Sequence, residues 1–149
     1  MGSFNSNKYN LKINTGNKWI QFHLGLQYNK ANNDFTPPGS DFTIHNNTFE
    51  GKGIMQHIFL KLPRQNQISS GIWIHFKDKE LPNYTNPRFP SYARQNDSAF
   101  RAYIHYTKVF KNARFNLNTA YSGDKLLWRY KPDVNQENFS IRSNFFAAK

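Results

Sequence analysis

The sequence predicts an all-β fold: an antiparallel, up-and-down meander of about seven long strands that forms a section of a transmembrane β-barrel. Three observations predict it. Apolar residues recur at every second position over long segments. The segments run about ten residues or more, whereas strands of soluble sheets most often have about 5–6 and membrane-spanning strands about 9–11. The connections between them alternate between short and long, as in bacterial barrels.

The alternation is clearest in the second predicted strand. Its even positions are apolar and its odd positions are mostly polar or small: Ile20, Phe22, Leu24, Leu26 and Tyr28 alternate with Trp19, Gln21, His23, Gly25 and Gln27. A helix would scatter these apolar residues around its axis, whereas a strand collects them on one face. The same period recurs in later segments. We expect the lipid-facing set to include Phe22, Leu24, Leu26, Ile72, Ile74, Ile104 and Leu117.

The strands are predicted in order from this period and from the turn residues between them. They cover residues 4–15, 18–29, 42–62 (interrupted near Asn46), 67–78, 98–110, 113–130 (broken near Gly123) and 138–148. The tight turns are Thr15–Asn17, Pro63–Gln67 and Lys111–Asn112, and the long loops are Asn29–Asp41, Asp78–Asp97 and Pro132–Asn138. Short turns are periplasmic and long loops extracellular in bacterial barrels. Aromatic residues near strand ends predict interfacial girdles: Trp19, Tyr28, Phe110, Phe115, Trp128 and Tyr130.

Composition supports a sheet with one apolar face. Only 38% of the residues are hydrophobic, yet 17% are aromatic, which is too many aromatics for a disordered chain. The net charge of +11 is dispersed, with no run of consecutive Lys or Arg. An RNA-binding sheet needs exposed aromatic and basic residues on the same face. Because Lys77, Arg101 and Arg142 are predicted on the face opposite most aromatic residues, we expect no nucleic-acid partner.

The search for catalytic residues finds none. The absence of cysteine excludes disulfides, thiolate metal ligands and cysteine nucleophiles. The nucleophile-elbow, P-loop and dinucleotide-binding motifs are absent. The five histidines, at positions 23, 45, 57, 75 and 105, lack the spacing of metal ligands. Four of them fall within predicted strands, at positions that face the polar lumen, so we interpret His23, His45, His57, His75 and His105 as polar residues and not as a metal cluster. We therefore expect no enzyme activity, no metal site and no cofactor.

The sequence contains neither a transmembrane helix nor a signal peptide. No apolar run approaches the length of about 18 residues that a transmembrane helix needs. The first residues contain neither a charged nor an apolar region of a signal peptide. We therefore expect the chain to be a mature piece or a section of a longer protein.

Several short motifs carry a family resemblance. Gly2-Ser3-Phe4, Tyr9-Asn10-Leu11 and the segment Tyr28–Phe35 resemble the start of the barrel in TonB-dependent outer-membrane receptors, just after the plug domain. Asp78–Pro82 and Ala93–Asp97 are similar to an extracellular stretch of the cobalamin- and siderophore-receptor-like branch. The resemblance covers most of the chain, although each motif is short.

The resemblance implies a 22-stranded barrel in the bacterial outer membrane, closed by an N-terminal plug. It implies energy-coupled import of a scarce ligand, such as a corrinoid or a ferric chelate. The implied partners are the lipid bilayer, the plug, the remaining strands, and TonB through the plug. This chain departs from the family pattern in extent, because the plug, the TonB-contacting segment and most strands are not among its residues.

The longest predicted loop supplies the candidate ligand contacts. Within Asp78–Asp97 we nominate the aromatic and basic residues Tyr84, Arg88, Phe89, Tyr92 and Arg94. Two alternatives remain open at this stage. One is a free-standing small outer-membrane barrel with a structural or adhesive role, and the other is a soluble β-rich binding module. Detergent dependence separates the membrane alternatives from the soluble one.

Overall fold

A single open sheet is the whole architecture of the described chain. The computed structural model describes residues 5–83, 86, 91–130 and 137–149. The strands are β1 (Asn7–Gly16), β2 (Ile20–Asn32), β3 (Thr48–Leu62), β4 (Asn66–Leu81), β5 (Ala93–Val109), β6 (Arg114–Tyr130) and β7 (Glu137–Ala148). Sequence neighbours pair antiparallel in the order β1 to β7, which confirms the predicted all-β meander. Among the described residues the outer edges of β1 and β7 have no strand partner, so the sheet is not closed.

The strands extend further toward the long connections than predicted. β4 continues to Leu81 and β5 begins at Ala93, so the predicted loop Asp78–Asp97 is wrong at both ends. Both faces carry polar side chains in this region. The apolar alternation therefore ends several residues before the backbone ladder does. Similarly, β2 continues to Asn32, whereas a loop was predicted from Asn29.

The two predicted interruptions have different outcomes. Near Asn46, which has a φ of 61°, the strand does not resume but starts: β3 begins only at Thr48, so the predicted strand start at residue 42 is wrong, and Ile44 forms an isolated bridge with Phe35 instead. The break near Gly123 is wrong, because β6 is continuous and Gly123 stands opposite Phe100 and Asn144 in the ladder. The three tight turns are confirmed as the connections β1–β2, β3–β4 and β5–β6. Most of the predicted loop 132–138 lies outside the described residues.

The sheet has two chemically distinct faces. We call one the aliphatic face, and the cross-strand register places all seven members of the predicted lipid-facing set on it. We call the other the histidine face, because it carries His23, His57, His75 and His105. The prediction that four histidines lie opposite the apolar stripe is therefore confirmed. His45 lies outside the strands.

β7 departs from this division. Opposite Trp128, Leu126 and Ser122, the residues Phe139, Ile141 and Phe145 lie on the histidine face. Arg142 therefore lies on the aliphatic face, and the prediction that it shares a face with Arg101 and Lys77 is wrong. The reason is that Phe139 and Ile141 pair with Trp128 and Leu126, the apolar even-numbered residues at the end of β6, which lie on the histidine face.

The cross-strand register places the residues of the predicted aromatic girdle on both faces of the sheet. Trp128 and Tyr130 lie on the histidine face, whereas Tyr28 and Phe115 lie on the aliphatic face. These four residues therefore do not form one ring on one side of the sheet. Proximity to a strand end is visible in the sequence, but the face that a side chain occupies depends on the pairing.

The sheet has almost no core of its own. Among the described residues, the buried hydrophobic side chains are those of Ile44 and Ala93. The chain exposes 11116 Å² of surface, whereas a soluble monomer of this mass exposes about 7,900 Å². Large apolar side chains on both faces are therefore uncovered. No helix in the described part of the chain is both long and apolar enough to cross a membrane.

The tight turns step progressively along the strands. One row across the sheet passes through Leu11, Leu26, Ile54, Ile74 and Phe100. Counted along the strands from this row, the centres of the three turns, at 18, 64 and between 111 and 112, lie 7 to 8, 10 and about 11.5 residues away. The first and the third turn are four strands apart. With a rise of about 3.3 Å per residue and a strand spacing of about 4.8 Å, this stagger corresponds to strands tilted by roughly 35°.

Candidate functional site at the loop end and on the histidine face

The predicted ligand contacts are distributed between loop and strand. Tyr84, Arg88 and Phe89 lie outside the described residues. Tyr92 is exposed immediately before β5. Arg94 lies within β5, where its Nε donates a hydrogen bond of 2.6 Å to Asp78 Oδ1 across the β4–β5 hairpin. Arg94 is thus a strand residue held by an ion pair, and the predicted placement in a loop is wrong.

A second connection closes the base of the β4–β5 loop. The side-chain amide of Asn46 donates hydrogen bonds to the backbone oxygens of Leu81 (3.2 Å) and Ala93 (3.1 Å), the last residue of β4 and the first of β5. The backbone N–H of Thr48 donates to Glu80 Oε2 at 2.9 Å. Sequence reasoning placed a break at Asn46 but missed this anchoring role, because the partners are 35 and 47 residues away in the chain.

Charged residues dominate the loop end of the aliphatic face. A cavity of about 420 Å³ lies there between β3 and β6. Lys52 Nζ contacts Glu50 Oε1 at 2.8 Å on one of its walls, and Asp78 carries the ion pair with Arg94. These groups are half-exposed or exposed, so their attraction is screened by water and contributes little to stability. The cavity is open, and charged side chains from three strands border it.

One row of the histidine face contains two hydrogen-bonded side-chain pairs, which together come from four strands. His23 Nδ1 lies 2.8 Å from Asn14 Oδ1, and His57 Nδ1 lies 2.9 Å from Tyr103 Oη. The tyrosine reaches His57 by crossing over Gly71, which stands between them in the register. A Cβ at Gly71 would collide with the tyrosine ring. The missing side chain is therefore what permits this contact.

The other histidines of this face are also occupied by neighbours. His105 bonds with Asn118, and its Nε2 lies 2.9 Å from Thr107 Oγ1. His75 stacks on Trp73 with ring centroids 5.6 Å apart. Within the residues that the structure describes, no group of three or more His, Asp or Glu side chains is placed to hold a metal ion. These histidines act as fixed polar groups.

Arg101 is the most highly connected cation of the histidine face. Its Nη2 donates to both carboxylate oxygens of Asp124, at 2.8 and 2.9 Å, and its Nη1 donates to the backbone oxygen of Gly123 at 3.2 Å. The guanidinium also lies 5.7 Å from the ring centroid of Trp73. Sequence reasoning found the face of Arg101 but not its partners, which depend on the register between three strands.

The arrangement offers oriented donors and acceptors on a polar wall. Comparison of the chain with protein-family models, with curated proteins and with solved structures gives no match. The resemblance to TonB-dependent receptors therefore depends on the sequence motifs alone.

Proposed function

We propose that the chain forms a section of the wall of a transmembrane β-barrel in the bacterial outer membrane. The aliphatic face contacts lipid and the histidine face lines a polar lumen. The observation that carries this proposal is an apolar band of limited height. It runs from Ile20 to Tyr28 on β2 and from Ile68 to Phe76 on β4. Eight residues span roughly 26 Å along a strand. Because the strands are tilted, this length corresponds to a height of roughly 21 Å along the barrel axis, close to the apolar band of about 25 Å in such barrels.

The upper limit of the band has a common height on successive strands. On the aliphatic face of each strand from β2 to β6, one polar residue marks the end of the apolar band on the side away from the tight turn. Each of these residues lies 12 to 14 residues along its strand from the centre of the nearest tight turn. They are Lys30, Lys52, Asp78, Ser98 and Lys125. A flat lipid boundary requires one height on every strand. A surface that faces water has no such requirement.

The uncovered surface and the geometry of the strands support the same proposal. A sheet without a core needs partners for both of its faces and edges, and a barrel supplies them as lipid, lumen and further strands. In this proposal the free edges of β1 and β7 pair with other strands of the barrel. The strand tilt of roughly 35° lies at the lower end of the range of about 35–45° that barrel closure requires.

We further propose that this barrel is a receptor for energy-coupled import of a scarce ligand of the corrinoid or ferric-chelate class. The motifs shared with TonB-dependent receptors support this role. The loop between β4 and β5, with Tyr92 at its end, supplies ligand contacts. A plug domain closes the lumen and receives energy through TonB. Hydrogen-bonded side chains such as His57 and Arg101 form the polar wall along which the ligand passes.

Cell fractionation of the intact protein that carries these residues tests the barrel. We expect the protein in the outer-membrane fraction, extractable only with detergent, and with faster gel migration before boiling than after it. Recovery in the soluble fraction without detergent would overturn the proposal and favour the soluble β-rich binding module.

Uptake measurements test the receptor role separately. Cells that produce the protein should accumulate cyanocobalamin or ferrichrome faster than cells without it, and a protonophore should abolish the difference. If the protein is in the outer membrane but uptake of both probes is unchanged, the import role is refuted while the barrel stands. A structural or adhesive small barrel would then be favoured.

A further inference from the structure

Two cations stand opposite each other on the aliphatic face without a counter-ion. Lys125 on β6 and Arg142 on β7 are direct cross-strand neighbours, an arrangement that is destabilising by itself. Neither makes a hydrogen bond or an ion pair within the described part of the chain. In the described strands a second pair of opposed cations, Arg94 and Arg129, differs, because Arg94 is bound to Asp78 and Arg129 donates to the Asn96 oxygen at 2.7 Å.

The two cations border an amphipathic groove of about 480 Å³. Ser98 and Phe76 share the register row of the two cations. Phe100, Tyr121 and Asn144 line the groove in the rows nearer the tight turn. Gly123 stands in β6 between Phe100 and Asn144, and its lack of a side chain leaves the groove open. Cations at one end and aromatic rings at the other are the complement of a molecule with an anionic head and an apolar tail.

The nearby carboxylates do not neutralise this end. Asp124 also borders the groove, but its carboxylate is bound on the other face by Arg101. Glu50 and Asp78, in the adjoining cavity, are engaged by their own cations. Asp97, which also lines that cavity, lies on the histidine face and accepts hydrogen bonds from the Gln95 side-chain amide. Among the described residues, the groove therefore keeps a net positive end. Its charge calls for an external anion.

We propose that this groove binds the phosphorylated headgroup of a membrane lipid, with the acyl chain lying over Phe100 and Tyr121. The inference rests on the proposed barrel and adds a ligand to its outer wall. Lys125 is the first polar residue beyond the apolar band on β6, which is the height of lipid headgroups. The guanidinium of Arg142 is suited to bidentate binding of phosphate, and Lys125 supplies a point charge. This role also explains why β7 places polar residues on the aliphatic face.

Lipid binding to the intact protein in a neutral detergent tests the site. The probe is phosphatidic acid, with phosphatidylcholine as the neutral comparison, and the measurement is bound lipid by native mass spectrometry. The double variant Lys125→Gln/Arg142→Gln should weaken phosphatidic acid binding by about 30-fold, the effect of removing two cations at a membrane surface. The control Lys8→Gln/Lys12→Gln removes two exposed cations of the histidine face that make no ion pair with another described residue, and it should leave binding unchanged.

Three outcomes would overturn the site. They are equal losses in the two double variants, no preference for phosphatidic acid over phosphatidylcholine, and equal binding of inorganic phosphate. The first indicates general charge attraction, and the last indicates a site for free anions. Heat-dependent gel mobility checks that every variant is folded. A protein that fractionates with the outer membrane yet fails these tests refutes this inference alone, whereas a soluble protein refutes the barrel as well.

Discussion

Replacing Leu24 with arginine tests which face of the sheet contacts lipid. Leu24 lies midway along the apolar band of β2, four residues from Ile20 and four from Tyr28. Arginine at the bilayer midplane of a β-barrel costs about 2–4 kcal/mol. That cost is roughly a 30- to 700-fold change in the folding equilibrium constant. If this face instead contacted water, the substitution would change stability by about 0.5 kcal/mol or less.

Two further substitutions on β2 make the test specific. His23→Arg changes the adjacent residue on the opposite face and removes the hydrogen bond with Asn14, so it should cost at most about 1.5 kcal/mol. Tyr28→Arg lies at the edge of the band, where arginine costs about 0–1 kcal/mol. The expected order of destabilisation therefore places Leu24→Arg well above the other two.

The measurement is reversible urea unfolding of the intact protein from phosphatidylcholine vesicles, followed by tryptophan fluorescence, to which Trp19, Trp73 and Trp128 of this chain contribute. Equal losses for Leu24→Arg and His23→Arg would show that the two faces are misassigned. Equal losses for Leu24→Arg and Tyr28→Arg would show that the band has no apolar midplane.

Three other predictions use the same protein. Gly71→Val should destabilise the fold by about 1–3 kcal/mol, because its side chain collides with the ring that crosses this position. Gly25→Val, whose nearest new contact is a flexible methionine at 3.6 Å, should be milder in the same urea assay, and the reverse order would refute the crossing. A cysteine at Asn86 should react with a membrane-impermeant reagent on intact cells and one at Asn66 should not, and the opposite pattern would invert the topology. Replacing residues 82–92 with a Gly/Ser linker should weaken binding of the imported ligand, and an unchanged Kd in a folded barrel would exclude that loop.

The fold class followed from the sequence because the period of two is strong where one face is apolar. On β2 and β4 this period fixed both the strand and its face. It failed where both faces are polar, as at Asp78–Leu81 and Ala93–Asp97. There the ladder continues through backbone hydrogen bonds, and the side chains carry no periodic signal. The predicted break at Gly123 was wrong for a related reason. A glycine whose backbone pairs with both neighbouring strands, as Gly123 does with β5 and β7, need not end a strand.

The candidate site was predictable only in part. The sequence placed four histidines on one face, but not the contacts of Tyr103 with His57 or of Arg101 with Asp124. These contacts depend on register, because a shift of one residue moves a side chain to the other face. For the same reason Arg142 was placed on the wrong face. Its pairing with Lys125 appears only once β6 and β7 are aligned.

The length of the strands gives the proposed ligand loop a rigid support. β5 has 17 residues, which rise roughly 44 Å when the strand tilt is included, well beyond a hydrocarbon core of about 30 Å. In the proposed barrel, the loop-end parts of β4 and β5 therefore stand in water above the membrane. The Arg94–Asp78 ion pair ties them together, and Asn46 binds the backbone where both strands meet the loop. A loop whose two ends are fixed in this way loses less entropy when it binds a ligand, which favours capture at low concentration.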